Sequence, residues 1–216
     1  MDLTTFSPSS ALLTVILLSL APFAAVMLTS FTKIVVVLSL LRNALGLQQV
    51  PPNLVLNGLA LILTLYVMYP VGRAMQVELA GQENIADSTE NLLLAANAVK
   101  EPLREFLIAH SSSSEREFFL STVKRMVPDE EGEITGRDFI VAVPAFTVSE
   151  LSSAFEIGFL IFLPFIIIDL VIANILMAMG MMMLAPTIVS LPFKLLLFVL
   201  VEGWAKLAHG LVLSYL

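Results

Sequence analysis

Between Leu3 and Thr32, and again between Asn43 and Gly72, the chain carries no Asp, Glu, Lys or Arg. Each run exceeds the roughly 20 apolar residues that cross a bilayer as a helix. Two more apolar blocks follow near the C-terminus. "IGFLIFLPFIII" (157–168) runs through Asp169 into "LVIANILMAMGMMML", and "IVSLPFKLLLFVLVEGW" holds only Lys194 before Glu202. Backbone in lipid must satisfy its own hydrogen bonds, and a helix does so within one segment. The pattern therefore predicts an all-α, membrane-associated chain: four hydrophobic helices in two hairpins, flanking a polar middle. Of 216 residues 58% are hydrophobic and 13% charged, about half the charged share of a soluble domain. A soluble globule has nowhere to bury that much apolar surface.

Three segments are predicted within one structural domain: a first hydrophobic hairpin (1–75), an acidic helical region (76–141) and a second hydrophobic hairpin (142–216). The middle segment holds 13 acidic and 6 basic residues, an excess equal to the net charge of the whole chain, −7. "EPLREFLIAH" sets Leu103, Phe106, Leu107 and His110 at helical spacing, and "EREFFLSTVKRM" does the same with Phe119, Val123 and Met126. "SSSS" (111–114) is the turn between these two helices, and "PDEEGEITGRD" (128–138) is an exposed acidic loop. Arg42 is the single charge in the short link between the first two blocks, which predicts a cytoplasmic link and a periplasmic acidic middle. The chain start has no basic n-region, since Asp2 is acidic, and its apolar run is too long for a signal peptide; it is expected to be retained.

Several chemistries are excluded. There is no cysteine, hence no disulfide and no thiolate metal site. His110 and His209 stand far apart, and no metal or other cofactor is implied. The acidic balance argues against nucleic acid, which needs a concentrated basic face. No nucleophile–base pair, phosphate loop or paired carboxylates are found, so the chain does not read as an enzyme.

What remains are features of a polar path through apolar sequence. Pro22, Pro164 and Pro192 sit inside apolar blocks, where each removes a backbone donor and bends a helix. Lys33, Glu150, Asp169 and Lys194 lie in or beside apolar sequence, and an isolated charge at a bilayer centre costs about 2.5–3.5 kcal/mol on insertion scales. Two of each sign suits pairing, within a subunit or across an interface; a proton relay is the rival reading. Glu202 and Lys206 stand at i, i+4, as in a solvated helix end. Pro51, Pro52 and Asn53 mark a helix start. Five of the ten methionines fall between Met177 and Met183, around Gly180. By composition alone that cluster is core or lipid-facing filler.

"LRNALGLQQVPPNLVLNGLAL", "PAFTVSELSSAFEIGF", "LPFIIIDLVIANILMAMGMMM" and "LPFKLLLFVLVEGW" together resemble the FliP/SctR family, the export-gate subunits of type III secretion systems. "GLQQVPPN" is more similar to the virulence (injectisome) branch than to the flagellar one. The resemblance implies a homo-oligomer of about five copies, assembled with a two-helix export-gate subunit and a larger related subunit around a central channel. An export ATPase and a proton-driven gate subunit would lie on the cytoplasmic side, and unfolded effector and needle proteins would pass through as transient cargo. It also implies residence in the bacterial inner membrane, with part of the apolar sequence buried between subunits on the periplasmic side. Met181, Met182 and Met183, with Gly180 at the turn, match the family's channel gasket. Glu150 and Lys194 match positions that pair between neighbouring subunits. The alternative function is a proton- or ion-coupled small-solute transporter or channel.

Overall fold

A computed structural model of the chain describes residues 8–80, 89–127 and 134–216. The expected acidic loop falls partly on 128–133, and the expected retained start partly on 1–7, outside the described residues. Among the described residues there are nine helices and no strand: α1 (Pro8–Met27), α2 (Phe31–Ala44), α3 (Asn53–Val67), α4 (Tyr69–Ala80), α5 (Thr89–Ala109), α6 (Ser113–Met126), α7 (Phe139–Ala178), α8 (Pro186–Leu200) and α9 (Gly203–Leu213). The all-α expectation holds, and so does the helix–turn–helix of the acidic middle, whose turn falls between Ala109 and Ser113.

Helix breaks fall elsewhere than at the three prolines singled out above. Pro22, Pro164 and Pro192 all lie inside continuous helices. After α1, the Thr29 hydroxyl donates to the Ala25 carbonyl, and the Thr32 hydroxyl donates to the Val26 carbonyl at 2.6 Å. Such side chains compete for carbonyls that the helix ladder would otherwise use. Between α3 and α4 the break falls at Met68; Pro70, two residues on, has no N–H with which to continue the ladder from α3. Between α8 and α9, Glu202 adopts φ +53, and the two helix axes bend by 59°.

The chain divides into two compact units, with boundaries at Thr32/Lys33, Tyr66/Val67 and Glu150/Leu151. One unit gathers α1, α4, α5, α6 and α7 as far as Glu150. Its core is Phe106, Leu107, Val141, Ala142, Ala145 and Phe146, with the Phe106 and Phe146 rings 5.6 Å apart. Arg137 pairs with Glu101 at 3.0 Å and with Glu105, bridging the approach to α7 to the surface of α5. Asp138 accepts from the Thr135 backbone N–H at 2.7 Å and from its hydroxyl. The backbone bond first, then the hydroxyl, hold the Asp138 carboxyl below its ordinary range.

The other unit contains α2, α3, the rest of α7, α8 and α9. The buried residues of α2 are Lys33, Ile34, Val37, Leu38, Leu41 and Ala44, a stripe at helical period. Leu41, Ala44 and Leu45 meet Phe165 of α7 and Phe198 of α8 in one cluster. Two glycines set close approaches. A Cβ at Gly158 would stand 2.2 Å from Leu40 Cδ1, and one at Gly203 would stand 2.0–2.6 Å from three atoms of the Phe198 ring. An aromatic ring packed edge-on against Trp204 cannot yield as a leucine tip can. Gly203→Ala is therefore expected to cost about 1–3 kcal/mol by overpacking. The detergent-solubilised melting temperature of that variant should drop well below that of Gly210→Ala, where a Cβ meets nothing within 4 Å.

The 40-residue α7 is the one described helix long and apolar enough to cross a membrane unaided; counting the bent pairs α1/α2, α3/α4 and α8/α9 as single spans gives up to four. At 1.5 Å per residue α7 is about 60 Å long, twice the ~30 Å hydrocarbon core. Hydropathy of this helix cannot all be spent on lipid. Part of it must be covered by protein or headgroup.

Candidate functional site

The methionine cluster occupies the end of α7 and the turn that follows. The Gly180 N–H donates to the Met177 carbonyl at 3.0 Å, and the Met181 N–H donates to the Leu176 carbonyl at 2.9 Å. With Gly180 at φ +74, these two bonds are the paired closure of a Schellman motif. An L-residue there would pay about 1–2 kcal/mol, which is why the cluster has its glycine at this position. Leu184 N–H returns to the Met181 carbonyl at 3.3 Å, and α8 then opens on Pro186, a residue suited to the first helical turn.

This turn aims thioethers outward. Met181 is 45% exposed, Met182 83% and Met183 102%, while Leu176 beneath them is buried at 6%. The apolar tip thus sits on a backbone tied down by the Gly180, Met181 and Leu184 N–H groups. Met182 and Met183, flexible and polarizable, are left largely uncovered by the described residues, and Met181 is half covered.

The two arms of this hairpin are joined by a polar cluster. Asp169 on α7 lies before the turn; Ser190 and Lys194, one helical turn apart on α8, lie after it. The Lys194 ammonium donates to Asp169 Oδ2 at 2.6 Å and to the Ala44 carbonyl at 3.3 Å, and the Ser190 hydroxyl donates to Asp169 Oδ1 at 2.5 Å. The Lys194 side chain is 5% exposed and that of Asp169 is 31% exposed. A charged pair with both carboxylate oxygens bonded is the arrangement in which a buried ion pair is tolerated. Ser190 was not anticipated from sequence, though its i, i+4 spacing to Lys194 places both on one face of α8.

The other two charges are also buried. Lys33 places its ammonium 4.1 Å from the centre of the Tyr215 ring, a cation–π contact that the C-terminal position of Tyr215 hid from sequence reasoning. Glu150 is 2% exposed. Glu202 and Lys206 form no side-chain pair; Glu202 instead accepts the Lys206 backbone N–H at 3.1 Å through its own carbonyl. Asn53, at the start of α3, spends its side-chain oxygen on Arg42 at 2.5 Å rather than on a cap.

Residues 12–211 match the family model described as the FliP family. The chain is 54% identical over 200 residues to the Yop proteins translocation protein R of Yersinia pestis, covering 92% of each. It is 51% identical over 210 residues to the pathogenicity-related ORF2 of Xanthomonas campestris pv. glycines, covering 96% of each. Virulence protein YscR of Salmonella typhimurium is 45% identical over 215 residues, covering 97% of each.

Proposed function

The chain belongs to the FliP family, and on that footing we propose that it is a pore-forming core subunit of an injectisome-type export gate. About five copies, with a two-helix export-gate subunit and a larger related subunit, surround a channel through the bacterial inner membrane. The core lies partly on the periplasmic side. Unfolded effector and needle polypeptides pass through that channel.

The observation that carries this reading is the exposure of Met182 and Met183 on a tight, internally bonded turn at the end of the longest apolar helix. Left alone, such a tip is a cost; gathered into a ring from several copies, the tips cover one another and exclude water. Methionine closes without a fixed pocket and yields to a polypeptide of any sequence. The exposed stripe of Phe155, Phe159, Leu163, Ile166 and Leu170 on α7 gives neighbouring copies or lipid an apolar face of the right kind. In the assembly, Glu150 of one copy pairs with Lys194 of the next. A small-solute transporter with Asp169 as proton site is disfavoured, because that carboxylate already holds Lys194 and Ser190.

Native mass in mild detergent tests the reading. Expressed with its two partner subunits, the protein should run as one defined complex containing about five copies. A monomer or dimer indifferent to those partners would return the methionine turn to the role of lipid-facing filler.

A further inference from the structure

Within the second unit, the eight-residue loop from Leu45 to Pro52 parts two cavities of opposite character. On one side Leu47, Val50, Val55, Leu195, Phe198 and Trp204 line a cavity of about 760 Å³ that is almost wholly apolar, with the exposed Glu202 carboxylate as its only charge. On the other, Arg42, Gln48, Gln49, Pro52 and Asn53 line a polar cavity of about 460 Å³.

Arg42 is an unusual occupant of that second cavity. Its Nη1 donates to the Pro51 carbonyl at 3.3 Å and to Asn53 Oδ1 at 2.5 Å, both uncharged oxygens. Its Nε is buried and has no partner. No carboxylate among the described residues pairs with it. A guanidinium has five donors in a planar fork that suits phosphate, and among the described residues only Nη1 of Arg42 is engaged. Beside it α3 begins at Asn53, and a helix start is where negative charge is favoured.

We propose that this loop is an anionic phospholipid site: the phosphate sits on Arg42 with Gln48, Gln49 and the start of α3, and an acyl chain lies in the apolar cavity. Lipid fits better than a partner peptide because one charge and one aliphatic chamber flank the same short loop. Leu54, Ile62 and Leu65 of the adjoining α3 are also exposed, as a lipid-facing helix requires. A basic pocket between apolar helices on the cytoplasmic side is the setting in which anionic headgroups are held. This inference does not depend on the channel reading.

Native mass spectrometry of the full-length protein in mild detergent tests it, with phosphatidylglycerol and phosphatidylcholine of identical chains as probes. The protein should retain phosphatidylglycerol about fivefold better. Arg42→Gln should erase that preference, and Val55→Trp, which fills the apolar cavity, should lower retention of both lipids. Glycerol phosphate alone should not compete. Equal retention of the two lipids by the unaltered protein would overturn the proposal whether or not the variants fold. So would a preference that survives Arg42→Gln, and competition by glycerol phosphate would reduce the site to one for bare phosphate.

Discussion

Cells carrying the assembled gate with Met181, Met182 and Met183 all changed to alanine should leak small solutes across the inner membrane, while the subunit itself stays folded and assembled. The separation of the two effects follows from exposure. Met182 and Met183 are almost entirely outside the fold and Met181 is half outside, so their truncation falls in the class of surface changes worth about 0.5 kcal/mol or less. What alanine removes is reach. Each substitution deletes the flexible Cγ–Sδ–Cε arm; in the proposed ring of about five copies that arm would be lost at every copy, leaving a gap too wide for methyl groups to close.

Leucine in place of all three refines the test. It restores apolar volume but is branched and stiffer, so it should seal against small solutes and slow the passage of secreted polypeptide. Uptake of a membrane-impermeant dye reads the seal, and secreted protein per cell reads the passage. A tight membrane in the alanine variant would sink the gasket, because nothing else about that variant should have changed.

How much of this could be read beforehand differs by feature, for a physical reason in each case. The helices of the polar middle and the apolar blocks were legible because period and hydropathy are local. The breaks were not. They depend on Thr29 and Thr32 hydroxyls taking helix carbonyls and on Glu202 adopting a left-handed conformation, neither of which hydropathy registers. The prolines mark no break: α7 runs unbroken through Pro164 despite the donor lost there. Gly180 was legible as a turn, and φ +74 gives it a specific duty. Lys194 was legible as a charge needing a partner, but a run of apolar sequence cannot say which carboxylate faces it. Asp169, Ser190 and the Ala44 carbonyl come together only through the packing of α2, α7 and α8.

That cluster sets the second large effect. Asp169→Ala should cost about 3–5 kcal/mol, since it leaves a buried ammonium without its counter-charge; against a total stability of about 5–15 kcal/mol that is a large share of the margin that keeps the subunit folded. Lys194→Ala should cost less, because Asp169 is part-exposed and keeps Ser190. Detergent melting temperatures of the two variants give the order, and equal losses would mean that the pair is not what holds the hairpin arms. The proposed contact between copies adds a second claim on the same ammonium, which among the described residues has two acceptors, Asp169 and the Ala44 carbonyl. Glu150→Lys should abolish secretion. Adding Lys194→Glu should restore it only partly, because the new carboxylate then faces Asp169 of its own chain. Adding Asp169→Asn as well removes that repulsion and should raise secretion further. If the triple variant assembles and still secretes nothing, the pairing of Glu150 with a neighbour's Lys194 is wrong, and Lys194 belongs to Asp169 alone.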